Sequence, residues 1–453
     1  MKKGYWIALG LVLVLALGVF AAACGSSTTT TTAATTATTA APGSTETTAA
    51  TTATTAAPGS TETTASANTN PINIGIAISL TGDSAAPCTQ IKEGFDTEAA
   101  YINSNGGING RKVNLVYVDD QSKMDTATAA IQKLIDQKVD VIIGPFPDFT
   151  QPATFPLTEK AQILQIAFGP PTLDMLSKPA QFKYSFSPAT GPDGCADAFV
   201  KEMQADGHKN VLGIADQLTI SGATLKTLAT TLPAAGVTFT AMSDTYSLSE
   251  TDFNPIANKI AAKAKDVKPD AIILCSNPVA VNPLTKALRA LGVKVPIYNQ
   301  GSAAHPLPMF KGAGNDPAVV AGDYAIGPAI VDPSQVPDTY TAKQDLIAYV
   351  ARWKAGAGAK EAFASLFLGF SYDTIHLAEQ AIKSATDQTP AGYAAAMEKV
   401  DWWGAQGHYV FSATDHIGNH GGFFQWQYTN GQGFKLIRDL NALSAGASTT
   451  PSS

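Results

Sequence analysis

From Ile72 onward the chain alternates short apolar runs with stretches of helical spacing. Ile72-Asn73-Ile74-Gly75-Ile76-Ala77-Ile78 is short, rich in β-branched side chains and closed by Thr81-Gly82-Asp83, the pattern of a buried strand. Ile91, Phe95, Ala99 and Ile102 then recur at helical spacing, and Asn105-Gly106-Gly107 supplies the stop. Val113–Val118 and Val139–Ile143 read as the next strands, with Ala127, Ile131, Leu134 and Ile135 marking the helix between them. Strands near Ile163–Ala167, Val211–Ala215, Val237–Ala241, Ala271–Leu274 and Val295–Tyr298 follow, with helices near Gly222–Leu232, Phe253–Ala264 and Pro283–Leu291. This alternation predicts parallel sheets covered on both faces, the α/β class. Two such runs, before and after about Ser187, predict two doubly wound, Rossmann-like lobes. Ligands of such sheets sit beyond the carboxyl ends of the strands, which singles out 79–88, 144–150, 167–172, 215–222, 275–282 and 299–304.

The first seventy residues follow another pattern. Lys2 and Lys3 precede an apolar run from Tyr5 to Phe20, and Ala21-Ala22-Ala23-Cys24 closes it: a basic region, an apolar core and a small-residue cleavage zone. Small residues leading into a cysteine resemble the lipobox of bacterial lipoproteins, although Ala21 stands where that box most often has Leu. The resemblance implies a signal peptide over 1–23 and a lipid on Cys24, with the lipid bilayer as a partner. From Gly25 to Asn70 the chain is nearly all Thr, Ala, Ser, Gly and Pro, and ATTATTAAPGSTETTA occurs at 34–49 and again at 50–65. Two copies without large apolar side chains build no core, so 24–70 is expected to be a disordered tether. As a flexible coil it would reach roughly 40 Å. Its threonines are also of the kind that carry O-glycans in exported proteins.

Charge and composition narrow the function. A net charge of −7 argues against nucleic acid as a partner. Four cysteines in 453 residues exclude a disulfide-dense scaffold. Beyond Cys24, an exported chain with Cys88, Cys195 and Cys275 allows one disulfide and leaves one thiol over; Cys195–Cys275 and Cys88–Cys195 pairings both fit, as do three buried thiols. No Gly-x-Ser-x-Gly elbow is followed by an acid and a histidine in order, and no Gly-x-Gly-x-x-Gly precedes a downstream acid, so no enzyme is expected. No cofactor and no metal are expected either. His416 and His420 are spaced as ligands on a helix would be, but Gly418, Gly421 and Gly422 make that segment a loop. Asp119-Asp120, at a strand end, reads as a turn and capping device.

One ordered set of segments carries a family resemblance. Tyr101-Ile102-Asn103, Gly106-Gly107-Ile108-Asn109-Gly110-Arg111, Asp119-Asp120 and Ile143-Gly144-Pro145 come first. Thr251-Asp252-Phe253, Lys268-Pro269-Asp270-Ala271, Tyr372-Asp373, Phe411-Ser412, Asp415-His416 and Gly418 follow. Over about 71–440 the chain resembles the leucine/isoleucine/valine-binding protein family, extracytoplasmic receptors of ABC importers. The resemblance implies the type I periplasmic-binding-protein fold: two lobes on a three-crossover hinge, closing on a small-molecule ligand and handing it to an ABC permease. It places lobe 1 at 71–188 and 305–403 and lobe 2 at 189–304 and 404–441, with 442–453 as a disordered tail. The expected location is the outer face of the bacterial cytoplasmic membrane. A ligand-sensing lobe for a membrane signalling partner is the alternative within the same resemblance.

The residues that hold an α-amino acid in that family are largely replaced. Thr150-Gln151-Pro152-Ala153 is kept, but the serines ahead of it are Phe146-Pro147-Asp148-Phe149. The small segment ending in Thr aligns with Phe168-Gly169-Pro170-Pro171. In lobe 2 one family aromatic falls near Thr219, the aromatic facing the ammonium falls near Asn277 or Pro278, and the acid falls on Gln300. An ammonium desolvated without a carboxylate costs several kcal/mol; Asp148 is the candidate replacement. The expected ligand contacts are Cys88, Phe146, Asp148, Phe149, Phe168, Gly169, Gln217, Thr219, Asn277 and Gln300. Apolar walls and neutral hydrogen bonds suit an amide, a urea-like or a small aromatic compound as well as an amino acid.

Overall fold

The computed structural model describes residues 69–443, apart from 83, 147, 170–177, 248–249, 277, 301–316, 362–363, 420 and 431–432. Side chains are likewise not described at 86, 148, 179, 278 and 279. The expectations for Cys24, the tether and Asn277 therefore lie outside the described residues, as does the side chain of Asp148.

The first sheet holds β1 (Ile72–Ile78), β2 (Val113–Asp119), β3 (Val141–Ile143), β4 (Gln165–Ile166) and β5 (Ser185–Phe186), in the order β2-β1-β3-β4-β5. All its pairings are parallel. Helices α1 (Ala85–Ser104), α2 (Met124–Asp136) and α3 (Gln151–Ala161) connect these strands. Next come α4 (Pro192–Ala205), β6 (Asn210–Ala215), α5 (Thr219–Ala234), β7 (Thr238–Ala241), α6 (Asn254–Val267), β8 (Ala271–Cys275), α7 (Pro278–Ala290), β9 (Ile297–Asn299), α8 (Pro317–Val320) and β10 (Tyr324–Gly327). Their sheet runs β7-β6-β8-β9-β10, the same winding as the first, and is extended antiparallel by β13 (Phe424–Tyr428) and β14 (Phe434–Asp439). Between these lie α9 (Lys343–Ala355), α10 (Leu366–Ser384), α11 (Pro390–Met397) and the hairpin β11 (Asp401–Trp403) and β12 (His408–Val410).

The burial follows from the pattern. Ile72, Ile74, Ile76 and Ile78 are fully buried with Phe95 and Ile102 of α1 on one side of the first sheet. Ala77 packs with Ile131 and Leu134 of α2 on the other. Each such isoleucine contributes about 1.5–3 kcal/mol when fully buried. At Gly75 the covering helix comes so close that a Cβ would lie 2.8 Å from Leu134 Cδ2. The second sheet is covered in the same way by Phe199, Leu225 and Leu228 on one face and by Ile256, Ile260, Leu284 and Leu288 on the other.

Three boundaries differ from the expectation. Tyr324–Gly327 pairs with β9 and β13, so the second lobe does not give way to the first at 305 but runs on through β10. Tyr409 and Phe411 pack in the core of the first lobe, so that lobe extends past 403 into the hairpin. At the other end, Leu443 rests against the second lobe's core, two residues beyond the expected limit at 441.

The chain passes between the sheets after β5, after β10 and after β12, and the segments around these passages bind one another. Ser187 N–H donates to the His416 carbonyl at 2.9 Å, and Asn419 Nδ2 to the Pro188 carbonyl at 3.1 Å. Ile330 N–H donates to the Ala405 carbonyl at 3.3 Å. The result is the α/β, two-lobed, periplasmic-binding-protein type I fold.

Candidate ligand site

In both lobes the winding reverses beside the central strand, between β1 and β3 and between β6 and β8. The loops beyond the carboxyl ends of those strands form the crevice where such sheets bind ligands.

In the first lobe Ser79 follows β1, and its hydroxyl lies 2.6 Å from Asp120 Oδ1 and 2.9 Å from the Phe146 carbonyl. Asp120 also accepts from Ser122 N–H at 3.0 Å and Phe146 N–H at 3.3 Å, which ties the ends of β1, β2 and β3 together. Burial raises the Asp120 carboxyl above its ordinary value against the pull of those bonds. Asp119 is held below its ordinary value: the small cost of its burial is outweighed by bonds from the Thr81 hydroxyl and the N–H groups of Gln121, Thr81 and Leu80. The acidic pair is thus the turn device expected from the sequence.

The aromatic candidates separate by depth. Phe149 is 55% exposed, and Phe146 is half-buried, edge-on to Phe168 and to Phe367 with centroids 6.3 and 5.7 Å away. Phe168 is fully buried among Phe95, Phe146 and Phe370. It backs the wall that Phe146 presents. Cys88 is fully buried in α1, where burial pushes its thiol up to about 12. Gly169 takes φ 62, and its carbonyl accepts from the Ser187 hydroxyl at 3.1 Å, at the first connection. Of Asp148, the structure describes only its backbone, in the turn Asp148–Thr150.

In the second lobe, Gln217 is exposed directly after Asp216, and its N–H donates to the Tyr246 carbonyl at 3.1 Å. Thr219 is exposed at the first position of α5. Gln300 follows β9 with 3% exposure; its N–H donates to the Leu274 carbonyl at 3.1 Å, and its Oε1 has no hydrogen-bond partner among the described residues.

The structure adds residues that the sequence reading passed over. Phe367, at the start of α10, completes the aromatic face with Phe146. Its position far along the chain hides it from the strand-end rule. Asp216, Tyr246 and Ser276 are buried at the carboxyl side of β6, β7 and β8. Burial, with the Asp216 charge, pushes the Tyr246 hydroxyl well up. Asp216 and Ser276 do lie in the segments that the strand-end rule selects. Gln151 is buried at the start of α3, with Nε2 donating to the Phe168 carbonyl at 2.6 Å and Oε1 unpartnered among the described residues. Cys88, Cys195 and Cys275 are all buried free thiols. His416 stacks on Phe186 at 3.9 Å with Nδ1 on the Ser185 carbonyl; His420 lies outside the described residues. Among the described residues no group of three or more His, Cys, Asp or Glu side chains is placed to hold a metal ion, and no helix is long and apolar enough to cross a membrane.

A ligand-binding receptor built on two matching doubly wound lobes is the class this geometry defines. Residues 71–432 match the family described as periplasmic binding protein, and the chain belongs to that family, as the leucine/isoleucine/valine-binding resemblance implied. It is similar to Leu/Ile/Val-binding protein homolog 2 of Brucella abortus (strain 2308), 33% identical over 98 residues, 22% of this chain and 26% of that protein. An amino acid binding protein of Pseudomonas aeruginosa is 28% identical over 200 residues, 43% of this chain and 52% of that one. The first of these matches therefore spans about a quarter of its relative's length, and the second about half. Among solved structures, an extracellular ligand-binding receptor from Rhodopseudomonas palustris HaA2 superposes with a TM-score of 0.69 at 24% identity, over 81% of this chain and 99% of that one. The substrate-binding protein LivJ from Streptococcus pneumoniae, solved in complex with isoleucine, superposes with a TM-score of 0.65 at 20% identity, over 82% of this chain and all of that one.

Proposed function

We propose that this chain is an extracytoplasmic solute-binding lipoprotein that captures a small molecule between its lobes and delivers it to an ABC permease. The observation that carries the reading is the pair of identically wound sheets whose connections bond to one another, a frame on which two strand-end surfaces can close over one ligand. Lipid on Cys24 and the tether beyond it would keep the receptor at the membrane. The relatives' names point to leucine, isoleucine and valine as ligands. The aromatic face of Phe146 and Phe149 and the neutral, buried Gln300 support a less charged molecule as well. Asp148, Gln217, Thr219 and Asn277 remain the other proposed contacts.

A thermal-shift panel on the full chain tests the reading, with leucine, isoleucine, valine, acetamide, urea and benzoate as probes. A ligand at a hundredfold excess over its dissociation constant stabilises the folded form by about 2.7 kcal/mol. A shift with any probe, together with loss of its uptake when the gene is deleted, is the expected result. Binding without any effect on uptake would favour the sensing role, and no binding across a wider panel would overturn capture.

A further inference from the structure

From α6 through the turn before β9 the chain reverses the sign of its charge. Residues 254–296 hold seven basic side chains and two acidic ones, a balance of +5. The rest of the chain holds 23 basic and 35 acidic side chains, a balance of −12. Lys259 pairs with Asp244 at 2.7 Å, Lys263 with Asp266 at 3.2 Å and Arg289 with Asp323 at 2.5 Å. Lys265, Lys268, Lys286 and Lys294 are exposed, and none of them forms an ion pair among the described residues. Basic side chains in a last helical turn complement the helix dipole. That accounts for Lys265 and Arg289, which lie in the last turns of α6 and α7, and leaves Lys268, Lys286 and Lys294 without a structural task.

Two of these lysines border apolar surface. A groove of about 180 Å³ between the ends of α6 and α7 is lined by Ala261, Ala264, Pro269 and Leu291, with Lys265 and Lys294 also on its lining. Leu291 is 39% exposed. The two helices bury Ile256, Ile260, Leu284 and Leu288 against the second sheet, which turns Lys265 and Lys286 to their outer faces.

We propose that this face of the second lobe rests on an anionic lipid surface, with Leu291 entering the headgroup region and the four lysines meeting lipid phosphates.

Lysine suits that role, because its apolar stem lies along hydrocarbon while the ammonium stays with water and phosphate. Each lysine near such a surface strengthens binding about fivefold. Four of them make a reversible contact that counts for a chain already held nearby. The proposed lipid on Cys24 supplies that hold. Arg111 Nε donates to the Asn70 carbonyl at 2.8 Å, which fixes the point where the chain from Cys24 joins the first lobe. The anchor thus leads to one lobe and the lysine face belongs to the other, so the two attachments together set an orientation. The −12 balance elsewhere is repelled by the same lipids and favours this face over the others. The inference takes its anchor from the proposed lipoprotein and nothing from ligand capture. Its test contains no ligand, so its failure would leave capture intact, and a failed ligand panel would leave this contact intact.

The test is trace acetylation of lysines, read residue by residue by mass spectrometry, on the full chain reconstituted into vesicles through its N-terminal region. One set of vesicles is phosphatidylcholine alone; the other is phosphatidylcholine and phosphatidylglycerol in equal parts. On the anionic vesicles Lys265, Lys268, Lys286 and Lys294 are expected to react at least about fivefold more slowly than on the neutral ones. Lys133 and Lys138, exposed on the first lobe, are expected to keep their rates. High salt should restore the four slowed rates. The double variant Lys265→Glu/Lys294→Glu breaks no ion pair among the described residues and is expected to melt, without vesicles, as the unaltered chain does. On the anionic vesicles it should return Lys268 and Lys286 to the rates seen on phosphatidylcholine. Equal rates on the two vesicle types, slowing shared by Lys133 and Lys138, or slowing that survives the double variant would each overturn the lipid contact. Slowing that requires native membrane proteins and is absent on both vesicle types would overturn it in favour of an acidic protein partner.

Discussion

Gln300 stands where the family resemblance puts the acid that meets a ligand ammonium, and a carboxamide carries no charge to offset one. Replacing it by Glu is expected to raise affinity for leucine or valine at least tenfold, about 1.4 kcal/mol, while leaving acetamide unimproved. Calorimetric titration of both chains measures this, and equal amino-acid affinities would remove Gln300 from the site. The cysteines make a second prediction at this scale. Burial pushes the Cys88 and Cys195 thiols up to about 12 and raises Cys275 as well, so none is a thiolate at neutral pH. The native chain is expected to be inert to Ellman's reagent. In guanidinium three thiols should react when Cys24 is acylated and four when it is not.

Between elements, α1, α9 and α10 are joined by a buried charge cluster. Glu98 of α1 pairs with Arg352 of α9 at 2.7 Å and with His376 of α10 at 3.0 Å, and His376 Nδ1 meets Glu379 at 2.6 Å. Burial opposes the charge on His376, but the bonds to Glu379 and Glu98 outweigh it and hold the ring up at about 9. A raised histidine stabilises fully below its unfolded value near 6.5 and loses that contribution as pH rises through 9. Glu379, held down to about 2 against its own burial by His376 and Lys383, loses its contribution as pH falls through that value. The unfolding midpoint in urea is expected to fall between pH 7 and 9, and His376→Gln should flatten that limb. Capping supplies a smaller effect: the Thr389 hydroxyl accepts from Gly392 N–H at 3.1 Å at the start of α11, and Thr389→Ala should cost about 1 kcal/mol.

The same scale separates what the sequence discloses from what it conceals. β1 and β6 are legible because a strand buried on both faces is a continuous apolar run, and both run almost as read. The two-residue strand Ser185–Phe186 is too short to carry a period. The aromatic Phe424–Tyr428 and its antiparallel partner lie outside the strand–helix alternation that identified the rest. Tyr324–Gly327 gives no sign of which sheet it joins, which is why the boundary near 305 was displaced. Within the site, the strand-end rule locates the right loops but not the depth of a side chain. Phe146 and Phe168 look equivalent in sequence, yet one lines a surface and the other fills the core behind it.

At the scale of the whole molecule, capture is mechanical: two strand-end surfaces, joined by connections that bond to each other, close over a ligand. The measurement that tests it most directly is small-angle scattering of the full chain with and without whichever panel compound gives the largest thermal shift. Closure predicts a smaller radius of gyration for the liganded chain, at a ligand concentration that tracks the thermal shift. Saturating binding with an unchanged scattering profile would contradict capture between the lobes.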